Sequence, residues 1–343
     1  MTAPKRALVA VAVLFCLGAV AGGIYLHRIR RPLPPASAGP PPDVLTEIPQ
    51  NAPVIACVDF SALRPLRNSP FAAALGLVAP PPAADKDYRD FVRDTGFDYE
   101  RDLDKAAVAL WPVRLPSPSG VMGENRVLAI ADGKFDREKI QAYALRSGRV
   151  ESRGSHTIYA IPGNPPTFFE FLSPTRLAIA SGTNSENLLP LPESPVRDPD
   201  MQARIERVAG APIFAIARTS HLPQRFYAPF HNSPQLEQLA RSIQGMTFAG
   251  QPDGNAIKTT LDAESDSIKD AFEISTLLNG FRMVGSMALA DPKMRGPMTR
   301  QQATFLTALL RQTKVTPQDR WVRLSLDITP AMLAAGSPGH RTH

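Results

Sequence analysis

The sequence predicts an α+β body with a mostly antiparallel sheet and helices on one face, preceded by one N-terminal transmembrane helix. Three observations lead to this prediction. Residues 257–263 and 322–328 alternate between apolar and polar side chains, and this period of two is typical of antiparallel strands with one solvated face. The segments 267–287 and 299–312 between them carry apolar residues at helical spacing. Residues 7–26 form an uncharged run of 20 positions.

The uncharged run is long enough to cross a membrane. As a helix, residues 7–26 extend about 30 Å, which is the thickness of the hydrocarbon core of a bilayer. Two interpretations stay open: a retained signal anchor, or a signal peptide cleaved after Ala19-Val20-Ala21. We favour the anchor because the run continues to full spanning length and is followed by three arginines, Arg28, Arg30 and Arg31. Residues 1–31 are therefore assigned to the membrane anchor and its flanks.

The orientation of this span is nearly balanced by charge. Three positive charges precede the span (Lys5, Arg6 and the amino terminus), and three arginines follow it. The positive-inside rule therefore hardly distinguishes between the two orientations. We expect an inner-membrane, single-pass protein whose body is periplasmic. The opposite topology, with the body facing the cytoplasm, stays open.

A proline-rich stalk, residues 32–47, follows the span. Its first part, 32–42, holds six prolines in eleven positions, a composition that favours the polyproline II conformation and a semi-rigid spacer. The folded body then divides into two α+β halves, 48–195 and 196–333, and a tail at 334–343 that has no apolar periodicity and is expected to be disordered.

The elements of the first half follow from local patterns. Apolar or alternating runs predict strands, and capped or amphipathic runs predict helices, as at Asp136, where an N-cap residue opens the helix that ends before Gly148. The predicted strands are 53–60, 106–115, 126–131, 156–161, 167–172 and 176–181, and the predicted helices are 69–78, 85–95 and 136–146.

The second half contains the same kinds of pattern. Helices are predicted at 201–208 and 234–243, a strand at 211–217, and then the two strands and two helices already described. Within the helix at 267–287, Ala271, Ile274, Leu278 and Phe281 are expected to face the sheet.

An internal similarity supports a duplication of the two halves. Residues 52–63 align with 211–222 at a constant offset of 159, with five of twelve positions identical. A looser similarity joins 133–148 with 264–280, each a polar turn followed by an amphipathic helix and a glycine. The alternative is that buried strands with the same role share an apolar composition.

Composition excludes several classes of protein. The chain has 343 residues and a net charge of +6, of which residues 1–31 contribute five basic side chains and no acidic one. The other 312 residues carry 33 basic and 32 acidic groups, so the body is electrically balanced, which argues against a nucleic-acid partner. Two cysteines exclude a disulfide scaffold and a multi-cysteine metal site.

The common catalytic motifs are missing from the sequence. There is no GxxxxGK[ST], GxGxxG, HExxH, GxSxG or SxxK sequence at a suitable position, so the corresponding nucleotide, zinc and serine chemistries are not indicated. We therefore predict no catalytic residue, no cofactor and no metal site.

Several residues have both a chemical and a structural interpretation. Asp98, Asp102 and Asp104 could offer oxygens to Ca²⁺, but Arg101 intervenes and no central glycine follows, so a turn is favoured. Cys57, in an apolar strand, is expected to be a buried thiol. Two histidines and three phenylalanines are interpreted as loop and core residues respectively: His221, His231, Phe168, Phe169 and Phe171.

Three segments together carry a resemblance to a known kind of protein. Residues 48–75, 95–110 and 133–148 resemble segments of uncharacterised bacterial envelope proteins that have an N-terminal membrane anchor or signal. The resemblance implies an extracytoplasmic, membrane-tethered α+β body, and it implies no activity or functional residue.

The function predicted from these observations is a non-enzymatic one. We expect a membrane-tethered extracytoplasmic protein with a binding, scaffold or envelope-assembly role, which contacts the membrane through residues 7–26 and has an envelope protein as its possible partner. The alternatives are an extracytoplasmic hydrolase with an unrecognised site and an accessory protein whose body faces the cytoplasm. The sequence does not specify the oligomeric state.

Overall fold

A computed structural model describes residues 43–49, 51–64, 86–111, 126–162, 166–181, 198–221, 234–253, 256–291 and 300–332. The predicted span at 7–26, the proline-rich segment 32–42, the helix at 69–78 and the tail at 334–343 lie outside these residues. Within them, no helix is both long and apolar enough to cross a membrane. The described residues form two compact units: the first contains 43–62 and 86–221, and the second contains 234–332 with Leu63 and Arg64.

The first unit is built on an antiparallel sheet with eight described strands in the order β8-β1-β2-β3-β7-β6-β5-β4. The strands are β1 (Val54–Asp59), β2 (Leu103–Trp111), β3 (Arg126–Gly133), β4 (Arg149–Arg153), β5 (His156–Ile161), β6 (Thr167–Ser173), β7 (Arg176–Ser181) and β8 (Ile213–Arg218). Its helices are α1 (Phe60–Leu63), whose last residue belongs to the second unit, α2 (Lys86–Thr95), α3 (Tyr99–Asp102), α4 (Arg137–Ser147) and α5 (Pro199–Val208).

Both faces of this sheet are covered in the first unit. On one face, Ile140 and Ala144 of α4 pack against Tyr159, Phe169 and Leu177. The other face includes Leu128 and Ile130, and against β2 and β3 lies a 3₁₀ turn, Asp43–Glu47, in which Val44 and Leu45 are fully buried. Helix α4 therefore covers one face of this sheet, and the 3₁₀ turn covers part of the other.

An arginine at the start of β7 holds the 3₁₀ turn. Arg176 donates to both carboxylate oxygens of Asp132 on β3, at 2.7 and 2.8 Å, and to Asp43 at 2.8 Å. The folded body thus includes Asp43–Glu47, which lie inside the range 32–47 that the sequence assigned to the stalk.

The second unit contains a four-stranded antiparallel sheet in the order β11-β12-β10-β9. Its strands are β9 (Ile243–Asp253), β10 (Ala256–Ser265), β11 (Lys314–Gln318) and β12 (Trp321–Ile328), and its helices are α6 (Pro234–Arg241), α7 (Ile268–Ala290) and α8 (Arg300–Gln312). The residues predicted at 201–208 and 211–217 for the second half, now α5 and β8, lie in the first unit.

Helices cover the apolar face of this second sheet, as the alternation predicted. Ala271 and Ile274 of α7 pack against Val322, with Leu324 and Leu278 at the edge of the cluster. Leu309 of α8 packs against Leu326 and Met332. The α+β class and the antiparallel sheet predicted from the sequence are confirmed.

Three strands, β4, β9 and β11, were not predicted from the sequence, for two physical reasons. β4 and β11 are short, mostly exposed and charged or proline-containing, and each is the last strand in the order of its own unit. Charges and proline are usual at sheet edges, where one side of the strand needs no hydrogen-bonded neighbour. In β9, Gly245, Gly250 and Pro252 interrupt the alternation.

Candidate functional site

Two acidic side chains form a buried pair on the polar face of the second sheet. Asp262 and Glu264 lie two residues apart on β10, and each side chain is 3% exposed. The sequence had predicted a solvated face here, and only its far end, at Lys258 and Asp327, is exposed. Two carboxylates on one face are a pattern that acid–base chemistry uses.

Arginines already engage both carboxylates. Arg323 on β12, directly opposite Asp262, donates Nε and Nη2 to it at 2.8 and 2.6 Å. Arg320 Nη2 lies 2.6 Å from Glu264 Oε1. The hydrogen bond to Asp262 also raises the pKa of Arg323 above its usual range. A bidentate arginine–carboxylate pair fixes geometry, so the pairing of β10 with β12 accounts for these residues.

A histidine–carboxylate pair lies on the first sheet. His156 Nδ1 on β5 is 2.9 Å from Oε1 of Glu170, which is buried on β6. Such a pair orients the base in hydrolases that also hold a hydroxyl or thiol nucleophile on the other ring nitrogen. Within the residues that the structure describes, no hydroxyl or thiol group hydrogen-bonds to His156.

The aspartates considered for Ca²⁺ organise a turn. The Asp102 carboxylate accepts hydrogen bonds from Arg101 at 2.8 and 2.7 Å and from the Asp98 amide at 2.9 Å. The Arg101 hydrogen bond is the main cause that lowers the pKa of Asp102. Asp104 lies on β2, and no group of three or more metal-ligating side chains occurs among the described residues.

The other residues that the sequence analysis considered are core residues, with the exception of the two histidines. Cys57 is buried on β1, and desolvation raises the pKa of its thiol to about 12, so the thiol is protonated and unreactive. Phe169 stacks on Tyr159 with ring centroids 5.0 Å apart, and Phe171 joins the same cluster. Phe168 is buried, His221 ends a 3₁₀ turn and His231 lies outside the described residues.

Exposed apolar side chains are concentrated on α7. Of the eight large hydrophobic side chains that are exposed among the described residues, five belong to this helix: Ile268 (68%), Phe272 (63%), Met283 (63%), Val284 (55%) and Met287 (68%). We call these five residues the apolar outer face of α7. Single exposed apolar residues are ordinary, but several on one element indicate an interaction surface.

The geometry of α7 aligns these side chains. At 100° per residue, the five positions fall within a sector of about 160°, along a helix about 34 Å long. The buried residues of α7 lie on the opposite side: Ala271, Ile274, Ser275, Gly285 and Leu289. The apolar outer face therefore points away from the sheet against which the helix packs.

Hydrogen bonds fix α7 at its start and along its length. The Ser267 hydroxyl caps the N-terminus by accepting from the Asp270 amide at 3.1 Å. Arg282 donates Nη1 to the carbonyl of Thr313, just after α8, at 3.0 Å. After Glu273, Arg282 is the one charged residue in the helix, so the outer face is uncharged over its last four turns.

Sequence reasoning identified α7 but not its outer face. It placed Ala271 and Ile274 correctly against the sheet, while Leu278 and Phe281 are half-buried. The available signal was the scarcity of charge between 274 and 290, where a surface helix of this kind normally has a polar side.

No protein-family model matches the chain, and no curated protein matches its sequence. Three solved structures, crystal forms I, III and IV of TP0453, are similar to it at 11%, 11% and 12% identity, with TM-scores of 0.43, 0.44 and 0.40. They cover 86%, 85% and 88% of this chain and 96%, 96% and 98% of their own. At these scores the likeness carries no argument about function.

Proposed function

We propose that this protein is a membrane-tethered, non-enzymatic binding module whose body lies outside the cytoplasm and binds through the apolar outer face of α7. The observation that carries the proposal is the exposure of five large apolar side chains on one helix. Leaving such a surface in water is unfavourable by about 25 cal/mol per Å² of apolar area. A bound partner would remove this apolar area from water, so a binding role accounts for the exposed residues.

We also infer that the two halves arose by duplication. Helix α4 of the first half is then the counterpart of α7 and can be compared with it. Helix α4 follows β3 and α7 follows β10, each after a strand inside its sheet, and each begins at a side-chain cap, Asp136 or Ser267. The inner sides are alike, since both helices bury small and branched apolar residues against their own sheet.

The outer sides of these two helices differ. Helix α4 has 11 residues, and its exposed side chains include Arg137, Glu138, Lys139 and Arg146, with Leu145 as its one large exposed apolar residue. Helix α7 has 23 residues and five exposed large apolar side chains. Packing a helix on the sheet therefore requires neither the extra length nor the apolar outer face of α7, which supports a role in binding.

The polar clusters support the non-enzymatic part of the proposal. Asp102, Asp262 and Glu264 are each engaged by an arginine, and His156 has a carboxylate partner but no nucleophile among the described residues. These contacts are those of groups that hold the fold together.

Site-specific photocrosslinking in intact cells tests the binding role. A photoreactive amino acid is introduced into the full chain at Phe272, Met283 or Met287, and at Glu138 or Ala142 on the exposed side of α4 as matched controls. We expect adducts, to lipid or to a defined protein, from the α7 positions and not from α4. Equal labelling from both helices, or none from α7, would contradict the proposal.

The tethering and the exported body are tested separately. We expect the full chain to stay in the membrane fraction after carbonate extraction and a C-terminal alkaline phosphatase fusion to be active. An active cytoplasmic reporter at the same position, with an inactive phosphatase, would place the body inside the cell and would leave the α7 result unaffected.

A further inference from the structure

We propose that the apolar outer face of α7 rests on the surface of the lipid bilayer. This inference depends on the proposed binding role of that face and names its occupant. The helix would lie in the plane of the interface, with its buried side packed on the second sheet and its outer side chains in the boundary between headgroups and acyl chains.

The five residues of the face lack hydrogen-bonding groups, and this favours lipid over a protein partner. Phe and Met are enriched in protein interfaces as well, but such interfaces also carry Trp, Tyr and Arg hot spots and about one hydrogen bond per 100–200 Å². The apolar outer face consists of Ile268, Phe272, Met283, Val284 and Met287, none of which can donate or accept a conventional hydrogen bond. Between its two ends lie Thr276, Asn279 and Gly280, so the middle of the face offers no bulky anchor either.

The charges on α7 determine what kind of lipid contact is possible. Lys269 and Glu273 form an exposed ion pair at 3.7 Å near the start of the helix, within the same sector as the apolar outer face, and Asp270 is held at the Ser267 cap. The Arg282 guanidinium donates to the Thr313 carbonyl. Because the helix has no excess of positive charge, contact with the bilayer must come from burial of apolar area rather than from attraction to anionic headgroups.

The N-terminal sequence supplies the proximity that such a contact needs. Between the predicted span at 7–26 and the body lies the segment 32–42, whose composition predicts a polyproline II conformation about 34 Å long. A tether of this length keeps the body close to the bilayer, so the effective concentration of the bilayer around the body is high. The apolar outer face would then contact lipid even if its intrinsic affinity for lipid is modest.

Fluorescence quenching by lipid tests the proposal on the full chain. A Met287→Cys variant in a Cys16→Ser background carries an environment-sensitive dye and is reconstituted into phosphatidylcholine vesicles with or without acyl-chain-brominated lipid. Cys57 remains, since its buried thiol is not labelled in the native protein. The matched control is Leu145→Cys on α4, which is exposed by 56% in the native chain.

We expect the emission at 287 to shift to the blue and to be quenched at least twofold more strongly than at 145. The difference should persist between 0.1 and 1 M salt and without anionic lipid. A Phe272→Cys label should behave like the label at 287, which guards against a local effect of one substitution.

Two outcomes would overturn the proposal, and they differ in what they mean for the binding role. Equal quenching at 287 and 145, together with adducts from α7 to a second copy or another protein, would reject the lipid contact and keep the binding face. Equal quenching without any α7 adduct in cells would reject both.

Discussion

Ala56 on β1 lies directly opposite Ala215 on β8, and the same two residues are aligned in the internal similarity between 52–63 and 211–222. The flanking hydrogen bonds are reciprocal. The Asp59 amide donates to the Pro212 carbonyl at 2.7 Å, and the Arg218 amide donates to the Pro53 carbonyl at 2.8 Å. Asp59 and Arg218 are aligned in this similarity, as are the two prolines, so the two aligned segments pair about a local twofold axis between Ala56 and Ala215.

This register predicts where a disulfide can form. The pairs 53–218 and 59–212 are hydrogen-bonded, and the two kinds of pair alternate along an antiparallel ladder. Ala56 and Ala215 therefore form a non-hydrogen-bonded pair, in which the Cα atoms are about 4.5 Å apart and the side chains are close. We expect the variant with Ala56→Cys and Ala215→Cys to close a disulfide under mild oxidation, detected as lost thiols and a mass decrease. Ala56→Cys with Ala217→Cys is the control, since this diagonal spacing is too long; closure of both, or of neither, would contradict the register.

The buried ion pair on the second sheet should make a large contribution to stability. Replacing Arg323 by Met removes both hydrogen bonds to Asp262, whose side chain is 3% exposed, and should lower the free energy of unfolding by about 3 kcal/mol. Urea denaturation measures the change.

An exposed ion pair serves as the control for that substitution. Arg241 and Glu237 are four residues apart on α6 and 2.7 Å from each other, and Arg241→Met should cost less than about 1 kcal/mol. Adding Asp262→Leu to Arg323→Met should recover most of the loss, because no charge is then left buried without its arginine. Equal losses at Arg323 and Arg241 would show that the buried pair is not a stabilising contact.

The lowered pKa of Asp102 should make the free energy of unfolding depend on pH. Since the Arg101 hydrogen bond lowers the pKa of Asp102 in the folded state, the unfolded chain binds a proton more readily at acid pH. The stabilisation is therefore complete above about pH 5 and is lost as the pH falls through the lowered pKa. The stability difference between the native chain and Asp102→Asn, about 1 kcal/mol at pH 7, should shrink between pH 5 and pH 3.

Urea denaturation at pH 7, 5, 4 and 3 follows this difference. Glu138→Gln, at an exposed position on α4, should show only a small difference at every pH. A difference for Asp102→Asn that stays constant down to pH 3 would mean that the contact with Arg101 does not stabilise the folded state.

The sequence predicted those parts of the molecule in which local pattern and tertiary environment agree. β10 and β12 alternate cleanly because one of their faces packs on helices, and α4 begins at Asp136 because a side-chain cap is a local interaction. The apolar outer face of α7 could not be predicted in this way. Residues on both sides of that helix are apolar, so periodicity alone does not say which side the sheet covers.

The buried pair of carboxylates was missed for a related reason. Alternation assigned Asp262 to the polar face of β10 correctly, but the depth of that face depends on neighbouring strands that are distant in sequence. Arg323 lies 61 residues away along the chain and reaches Asp262 only through the pairing of β10 with β12. No local pattern contains this contact, so the sequence predicted a solvated side chain where the structure has a buried ion pair.

The orientation of β12 is tested by one charged substitution and its control. Leu324 packs beside Val322, Ala271 and Ile274, so Leu324→Asp places a carboxylate without a partner against the core of the second unit. We expect a loss of at least about 3 kcal/mol, or failure of that unit to fold, because an unpaired charge is costly to desolvate. Thr316→Asp on β11, an exposed position directly opposite Arg323, introduces the same charge and should change the melting temperature by only a degree or two. Melting temperatures from circular dichroism compare the two variants, and an unchanged value for Leu324→Asp would mean that this face of β12 points to solvent.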